Sequence, residues 1–302
     1  MNDKQFPLVS VAVITYNQKE FLRECIESIL EQNYPNFEIV VADDASADGT
    51  QDMLREYDNK YPGKFVLKLA SKNQGITANS NQAHFSCKGK YVAWMGGDDL
   101  MLPGRISEQA DYLEKHPSCN IVYSNSEVFL SDSNRVIGYS SELSPVIVGG
   151  KQEDMVRLGC FVGGCTAMVR RSSSPLHGFD TRIPIASDWK YWIDSLSDGG
   201  TVDYLDGLLS RHRRHKNNVT NNDRNNFNIK NHQDSLITCA ITLSQYPNYR
   251  RAVFESESRI YRSMRHYQNG YHYRNYLRLS LSKKFNIKSL VAYILSFSGK
   301  LI

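Results

Sequence analysis

Residues 9–44, VSVAVITYNQKEFLRECIESILEQNYPNFEIVVADD, set the fold. The stretch opens on an apolar, β-branched run, Val9–Thr15, and ends on a second run, 37–42. Between them Phe21, Leu22, Cys25, Ile26, Ile29 and Leu30 mark one apolar face at helical spacing. Asn17 followed by Glu20 reads as an N-cap and N3 pair, and Pro35 lies just past the helix end. Three more runs, 65–70, 91–95 and 120–124, follow with starts about 27 residues apart, a spacing that suits strand, crossover helix and two loops. Near-continuous apolar strands alternating with amphipathic helices predict an α/β fold: a mostly parallel, Rossmann-like sheet with helices on both faces.

In such sheets ligands bind beyond the carboxyl ends of the strands. The first run ends in Thr15-Tyr16-Asn17 and the second in Asp43-Asp44-Ala45-Ser46. Lys72-Asn73-Gln74-Gly75 follows the third, and Gly96-Gly97-Asp98-Asp99 the fourth. Polar and acidic groups from separate strands are thereby gathered on one edge. Asp98 and Asp99 repel one another unless water, a cation or a hydrogen-bond donor takes up the charge. No GxGxxG opens the first helix and no GxxxxGK[ST] occurs, which disfavours a dinucleotide dehydrogenase and a P-loop enzyme. The edge suits a ligand carrying both a base and a metal-bound diphosphate. His212 and His215 have the spacing of a metal pair, but Arg211, Arg213, Arg214 and Lys216 around them oppose a zinc site.

The chain has 302 residues, 41% of them hydrophobic, enough for a large packed core. Six cysteines form no CxxC pair and read as buried, reduced thiols. The net charge of +4 is unevenly spread. From Arg250 onward 11 Lys or Arg face two acids, a balance of +9, which leaves 25 basic against 30 acidic residues, −5, before it. The opening MNDKQFPLVS lacks a signal-peptide core, and the apolar run 290–297 is far short of the roughly 20 residues of a spanning helix, so a cytoplasmic location is expected.

Read together, VSVAVITYNQKEFLRECIESILEQNYPNFEIVVADDASADGT, NQGITANSNQA, GKYVAWMGGDDLMLPGRI, GGCTAMVRR, ASDWKYWIDS and RRHKNNVT resemble the family-2 glycosyltransferases of the GT-A fold, over roughly residues 7–220. The resemblance implies an inverting transferase that moves a sugar from a nucleotide-sugar donor, most simply a UDP-sugar, to a glycan or lipid-linked acceptor in polysaccharide biosynthesis, with Mn²⁺ or Mg²⁺ as cofactor. It implies that Thr15, Tyr16 and Asn17 line the nucleotide pocket, with Asn73, Gly75 and Gly164 also on the donor, and that Asp44 accepts a hydrogen bond from the uracil ring. Asp98 then contacts ribose or metal, Asp99 holds the cation, and Asp188 is the catalytic base. Arg213, His215, Asn218 and Thr220 match a loop that closes over the diphosphate, where His215 adds a metal contact. The sequence departs from the family pattern at Gly96, where many relatives carry Asp, and at Ser80, where Arg is common and Lys72 stands as a substitute. His212 replaces a common Tyr.

The expected organisation is a catalytic domain over 1–220, with a nucleotide-binding half near 7–124 and an acceptor-facing half near 125–220. An Asn-rich linker and a basic helical region follow over 221–302. In that region Leu236, Ala240 and Leu243 share a predicted face. Tyr271, Tyr273, Tyr276, Lys283, Lys284, Phe285, Lys288 and Tyr293 fit either a surface lying on anionic lipid or helices packed on the domain with a basic outer face. No nucleic-acid-binding module is recognisable, so nucleic acid is not an expected partner.

Overall fold

A computed structural model describes residues 6–143, 146–219, 229–265 and 271–298. The Asn-rich stretch lies largely outside them, as does Thr220.

The predicted units are present. Strands β1 (Val9–Thr15), β2 (Phe37–Asp43), β3 (Phe65–Leu69) and β4 (Tyr91–Gly96) alternate with helices α1 (Lys19–Leu30), α2 (Thr50–Lys60) and α3 (Ile76–Ser86). β1 lies centrally, parallel to β2 with Val11 opposite Ile39, and parallel to β4 with Val11 opposite Ala93. Its period-2 pattern is buried on both sides. Val9, Val11 and Val13 join α1 and α2 in one apolar layer, and Ala12 joins α3 in the other.

Beyond β4 the sheet becomes mixed. A two-residue β5 (Leu100–Met101) and α4 (Arg105–Lys115) lead into β6 (Cys119–Leu130), which contains the fifth predicted run. Then come β7 (Val136–Tyr139), α5 (Ser140–Leu143), α6 (Gln152–Leu158), β8 (Ala167–Arg170), α7 (Asp188–Ser195) and β9 (Thr201–Arg214). The order is β3-β2-β1-β4-β8-β6-β9-β5, with β7 beside β6. β8 inserts antiparallel between β4 and β6, and β9 runs parallel to β6 and antiparallel to β5. β9 therefore delivers its C-terminal end to the segment following β4.

Four helices follow: α8 (Ile229–Gln245), α9 (Arg250–Met264), α10 (Tyr271–Lys283) and α11 (Ile287–Leu295). Cys239 of α8 and Ala252 and Val253 of α9 sit in the same apolar layer as α6 and α7. Residues Tyr273, Leu277 and Ala292 of α10 and α11 form a small cluster of their own.

Several local expectations are corrected. Asn17 does not cap α1: its backbone is left-handed at φ 51°, its side chain accepts from the Ala47 N–H at 2.8 Å, and Gln18 is the N-cap residue. α8 is rotated from the predicted face, with Ala240 exposed and Asp234, Thr238, Cys239, Ile241 and Thr242 inside. Tyr273 is buried, so it belongs to no surface. All six cysteines are free thiols as expected, but Cys160 is exposed.

Candidate active site

The strand ends converge because their loops tie to one another. The Asn17 N–H donates to Ser46 Oγ at 2.7 Å, and Asn79 Nδ2 of α3 reaches the carbonyls of Ala42 at 2.9 Å and Thr15 at 3.3 Å. Ala45 adopts φ 63°, a conformation that costs a non-glycine residue free energy and persists where the surroundings fix it. Thr15 is buried in this junction and Tyr16 projects outward, 48% exposed. Asp44 accepts from the N–H groups of Gln74 at 2.7 Å and Gly75 at 2.8 Å, which fixes the turn opening α3, and Asn73 Nδ2 approaches the Asp44 carbonyl at 3.4 Å. Each Asp44 oxygen keeps a lone pair for a further donor. The neighbouring Asp43 is fully buried; Oδ2 accepts from Ser46 and Gln51, and Oδ1 has no partner among the described residues. Ser80 bonds back to the Ile76 carbonyl, while Lys72 is exposed.

The acidic turn is over-determined. Asp99 Oδ1 accepts from the Arg213 N–H at 2.9 Å, and Arg213 Nε donates to the Asp98 carbonyl at 2.7 Å. The same guanidinium reaches Glu24 Oε2 of α1 at 2.5 Å and lies over the Phe21 ring at 4.7 Å. Asp98 Oδ2 accepts from Asn218 Nδ2 at 3.0 Å and lies 2.9 Å from His215 Nε2. Because His215 Nδ1 accepts from the Asn217 N–H at 3.2 Å, the ring proton sits on Nε2 and points to Asp98. His215 is thus placed as a positioning partner of Asp98. His212 is half-buried on β9, where desolvation and the nearby Arg214 depress its pKa to about 4, so it is neutral at neutral pH.

The remaining carboxylate oxygens face one point. A Cβ on Gly96 would lie 2.7 Å from Asp98 Oδ1 and 3.2 Å from Asp99 Oδ2, so the two oxygens converge over the bare glycine. Burial, then the charge of Asp98, pushes the Asp99 carboxyl well above its ordinary range. Burial also works against ionised Asp98, but hydrogen bonding, that of His215 foremost, outweighs it and holds its pKa below the ordinary value. A buried carboxyl that resists ionisation, beside a half-buried ionised one, forms a site short of positive charge. No group of three or more His, Cys, Asp or Glu among the described residues is arranged to hold a metal. A pair of hard oxygens fits Mg²⁺ or Mn²⁺, ions that take their other ligands from water and substrate phosphate.

Beneath the turn, Arg105 is fully buried and spans β4 and β8, donating to the carbonyls of Trp94 at 3.0 Å and Ala167 at 3.1 Å. Burial lowers its pKa to about 10, and the negative charge of Asp99 is among the influences opposing that fall.

Asp188 begins α7. Its Oδ1 accepts from the Trp189 N–H at 2.8 Å, and Cys160 Sγ donates to Oδ2 at 3.7 Å. Burial raises the Asp188 pKa. The loop before it is held from two sides. Thr77 Oγ1 of α3 donates to the Ile183 carbonyl at 2.6 Å and lies 2.9 Å from Ser187 Oγ. Asp234 Oδ2 of α8 accepts from the N–H groups of Ile185 at 2.8 Å and Ala186 at 2.9 Å.

One short segment runs past both carboxylate centres. Cys160 meets Asp188, and Cys165 lies near enough to Asp99 that burial, then the Asp99 charge, raises its thiol pKa. Five residues of extended chain reach no more than about 18 Å, which bounds the span between the two anchor points. Gly164 lies on this segment, and a Cβ there would meet nothing within 4 Å, so its backbone faces open space.

The structure therefore brings Thr15, Asn17, Asn73, Gly75 and Asp44 to one loop cluster, and Asp98, Asp99 and His215 to a second. Asp188 and Gly164 are linked to the latter by the 160–165 segment. Glu24, Thr77, Arg105, Cys165 and Asp234 were not singled out as site residues. Each contacts the site through tertiary packing, and no local pattern marks them.

A sheet whose parallel strands end at one polar edge, with paired carboxylates at the end of β4, defines the class of fold. The glycosyl transferase family 2 model matches residues 10–174, and the chain belongs to that family. It is similar to the putative glycosyltransferase EpsE of Bacillus subtilis, 38% identical over 123 residues, or 41% of this chain and 44% of that relative. The putative teichuronic acid biosynthesis glycosyltransferase TuaG of B. subtilis is 24% identical over 219 residues, covering 72% of this chain and 82% of TuaG. Two solved structures share the fold: S. aureus TarS 1–349 in complex with UDP-GlcNAc, and the mannosyltransferase PcManGT of Pyrobaculum calidifontis with GDP-Man and Mn²⁺. The first has TM-score 0.65 and 16% identity over 92% of this chain and 81% of that one. The second has TM-score 0.64 and 18% identity over 98% and 80%.

Proposed function

We propose that the protein is an inverting glycosyltransferase that moves a sugar from a nucleotide-sugar donor, a UDP-sugar in the first instance, to a glycan or lipid-linked acceptor during polysaccharide assembly. The convergence of Asp98 Oδ1 and Asp99 Oδ2 over Gly96, at the carboxyl edge of the parallel strands, carries the reading. The donor ligands of TarS and PcManGT and the teichuronic acid role in the name of TuaG support it.

In this reading Tyr16 flanks the base, Asp44 accepts from it, and Thr15, Asn17, Asn73 and Gly75 shape the pocket. Asp98 and Asp99 hold Mn²⁺ or Mg²⁺, which when bound neutralises charge on the departing diphosphate. Arg213 and Asn218 keep both carboxylates in register, and His215 holds Asp98; a direct metal contact by His215 requires its ring to leave that carboxylate. Asp188 takes the proton of the acceptor hydroxyl. Its Oδ1 is occupied by the Trp189 N–H, so Oδ2, beside the exposed Cys160, is the accepting atom. A base opposite the leaving group gives a single displacement with inversion. Gly164 leaves room for the sugar.

Thermal-shift measurements with UDP-sugars and GDP-mannose, each with and without Mn²⁺, test the donor class, since a ligand that binds only the native state raises its melting temperature. A metal-dependent shift by a UDP-sugar, absent in Asp99→Asn, is expected. No shift with any nucleotide sugar overturns the proposal.

A further inference from the structure

Helix α11 is amphipathic in the reverse sense. The side chains it buries are small: Ser289 and Ala292 within the helix, and Ser296 in the turn after it. Ser289 lies 2.8 Å from Ser280 of α10, which lies 3.1 Å from Ser258 of α9, so a file of hydroxyls joins three helices. Arg274 donates to the Ser296 carbonyl at 2.9 Å. Its β-branched aliphatics point the other way, while Leu290 and Leu295 are half-buried. Ile287, Val291 and Ile294, at i, i+4 and i+7, are 70%, 47% and 58% exposed. Phe285 before the helix and Phe297 after it extend the ridge at 66% and 63%. Single exposed apolar residues need no explanation, but a continuous helical face does.

The ridge is bordered by cations. Lys284 and Lys288 are exposed on either side of Phe285 and Ile287. Lys283 and Lys284 also line, with Arg250, Arg251 and Phe254, a cavity of about 480 Å³. The acid in that cavity, Glu255, is held by Lys284 at 2.6 Å and Arg251 at 3.4 Å, so the cationic excess persists. The chain from Arg250 onward carries 11 basic residues against two acids.

We propose that the face of α11, with its bordering lysines, docks on an anionic phospholipid bilayer. A nine-residue helix is far too short to span, and no helix among the described residues is long and apolar enough to cross a membrane. An apolar ridge with a basic border matches a helix lying in the interface plane, its aliphatics among acyl chains and its lysines at the phosphates. A second copy of the chain is a poorer occupant: it brings another cationic border and no negative charge to pair with this one. The inference stands independently of the donor reading, because no residue in it touches the sheet edge.

Co-sedimentation of the full chain with vesicles tests it. One vesicle is phosphatidylcholine alone; the other is equal parts phosphatidylcholine and phosphatidylglycerol. Native protein is expected to bind the anionic vesicles at least roughly tenfold more tightly, and binding should weaken as salt rises. The variant Ile287→Gln/Val291→Gln/Ile294→Gln, changed only at exposed positions, should lose roughly tenfold or more while melting as native does. A second variant, Lys284→Gln/Lys288→Gln, keeps the ridge and should lose mainly the salt-sensitive part. Equal binding by native and both variants overturns the proposal, as does equal binding to the two vesicles. A concentration-dependent dimer that the triple variant abolishes, without vesicle binding, also overturns it and gives the face to a second copy.

Discussion

The turn at 96–99 buries Asp99 and half-buries Asp98, whereas α11 exposes aliphatics and buries serines. Each departs from the rule that apolar groups go inside and charges stay out, and each is supported by hydrogen bonds from neighbouring elements. At the turn, Arg213, His215 and Asn218 hold the acidic groups in a fixed pose. At α11, Ser258, Ser280 and Ser289 replace an oily contact. The difference lies in what the exposed part is left to do. The turn leaves two oxygens converging on one point, as the proposed cation site requires. The helix leaves a long ridge with no single point of chemistry, a site for a surface. Burial against type marks function in both cases, and the shape of what remains open distinguishes a small ligand from an extended one.

That contrast can be broken by substitution, and the largest effect is expected at Asp188. Asp188→Asn should lower turnover by roughly 10²- to 10⁴-fold with donor-induced thermal shifts intact. The pH profile adds a second readout. Burial raises the Asp188 pKa, so the active, ionised base is lost as pH falls through a value above the ordinary aspartate range. By the same sign, ionised Asp188 costs stability at neutral pH, and Asp188→Asn should melt no lower than native. A lower melting temperature together with retained turnover would make Asp188 structural.

Asp99→Asn comes next, with turnover falling roughly 10²- to 10³-fold and the Mn²⁺-dependent thermal shift lost. The Asn carbonyl can still accept from the Arg213 N–H, and one buried negative charge is gone. Metal-free protein should therefore keep or raise its melting temperature; a clear fall would show that the pair is held together for stability.

Gly96→Ala tests the convergence itself. The added methyl would stand 2.7 Å from Asp98 Oδ1, which has to turn away. A misplaced ligand oxygen should cost roughly ten- to hundredfold in metal-dependent turnover. Native activity in this variant would show that the oxygens need not meet above residue 96.

Asp234→Ala probes support from a distance. It leaves the buried N–H groups of Ile185 and Ala186 without their acceptor, which should cost about 1–3 kcal/mol in chemical denaturation and reduce kcat through the displaced Asp188. At the small end, the single change Ile287→Gln should alter stability by less than about 0.5 kcal/mol, because the side chain is 70% exposed. A larger loss would mean that the ridge is packed, and the contrast with the turn would disappear.

The parallel strands were legible because β1, β2 and β4 are buried on both faces and carry near-continuous apolar runs. The loop residues after them were legible by position, since parallel topology fixes where strand ends meet. The antiparallel entry of β8 was not, because four residues, AMVR, carry no period and pair with strands far away in sequence. Nor was the true face of α8, where Asp234 turns inward to reach two N–H groups and reverses what hydrophobicity alone suggests. α11 misleads in the same way: its pattern predicts the amphipathic helix correctly, but only tertiary hydrogen bonding shows that the serines are the inner side.

The segment from Cys160 to Cys165 has an evolutionary consequence. Because Cys160 meets one carboxylate and Cys165 lies near another, a change along it should be felt at both ends, by Asp188, the proposed proton acceptor, and by Asp99, the proposed cation ligand. On that proposal, traits that a designer would wish to tune separately, such as acceptor preference and metal requirement, would be inherited as one. Diversification of this chain should proceed through coupled changes in these six residues and their two partners, with single replacements tending to trade one property against the other.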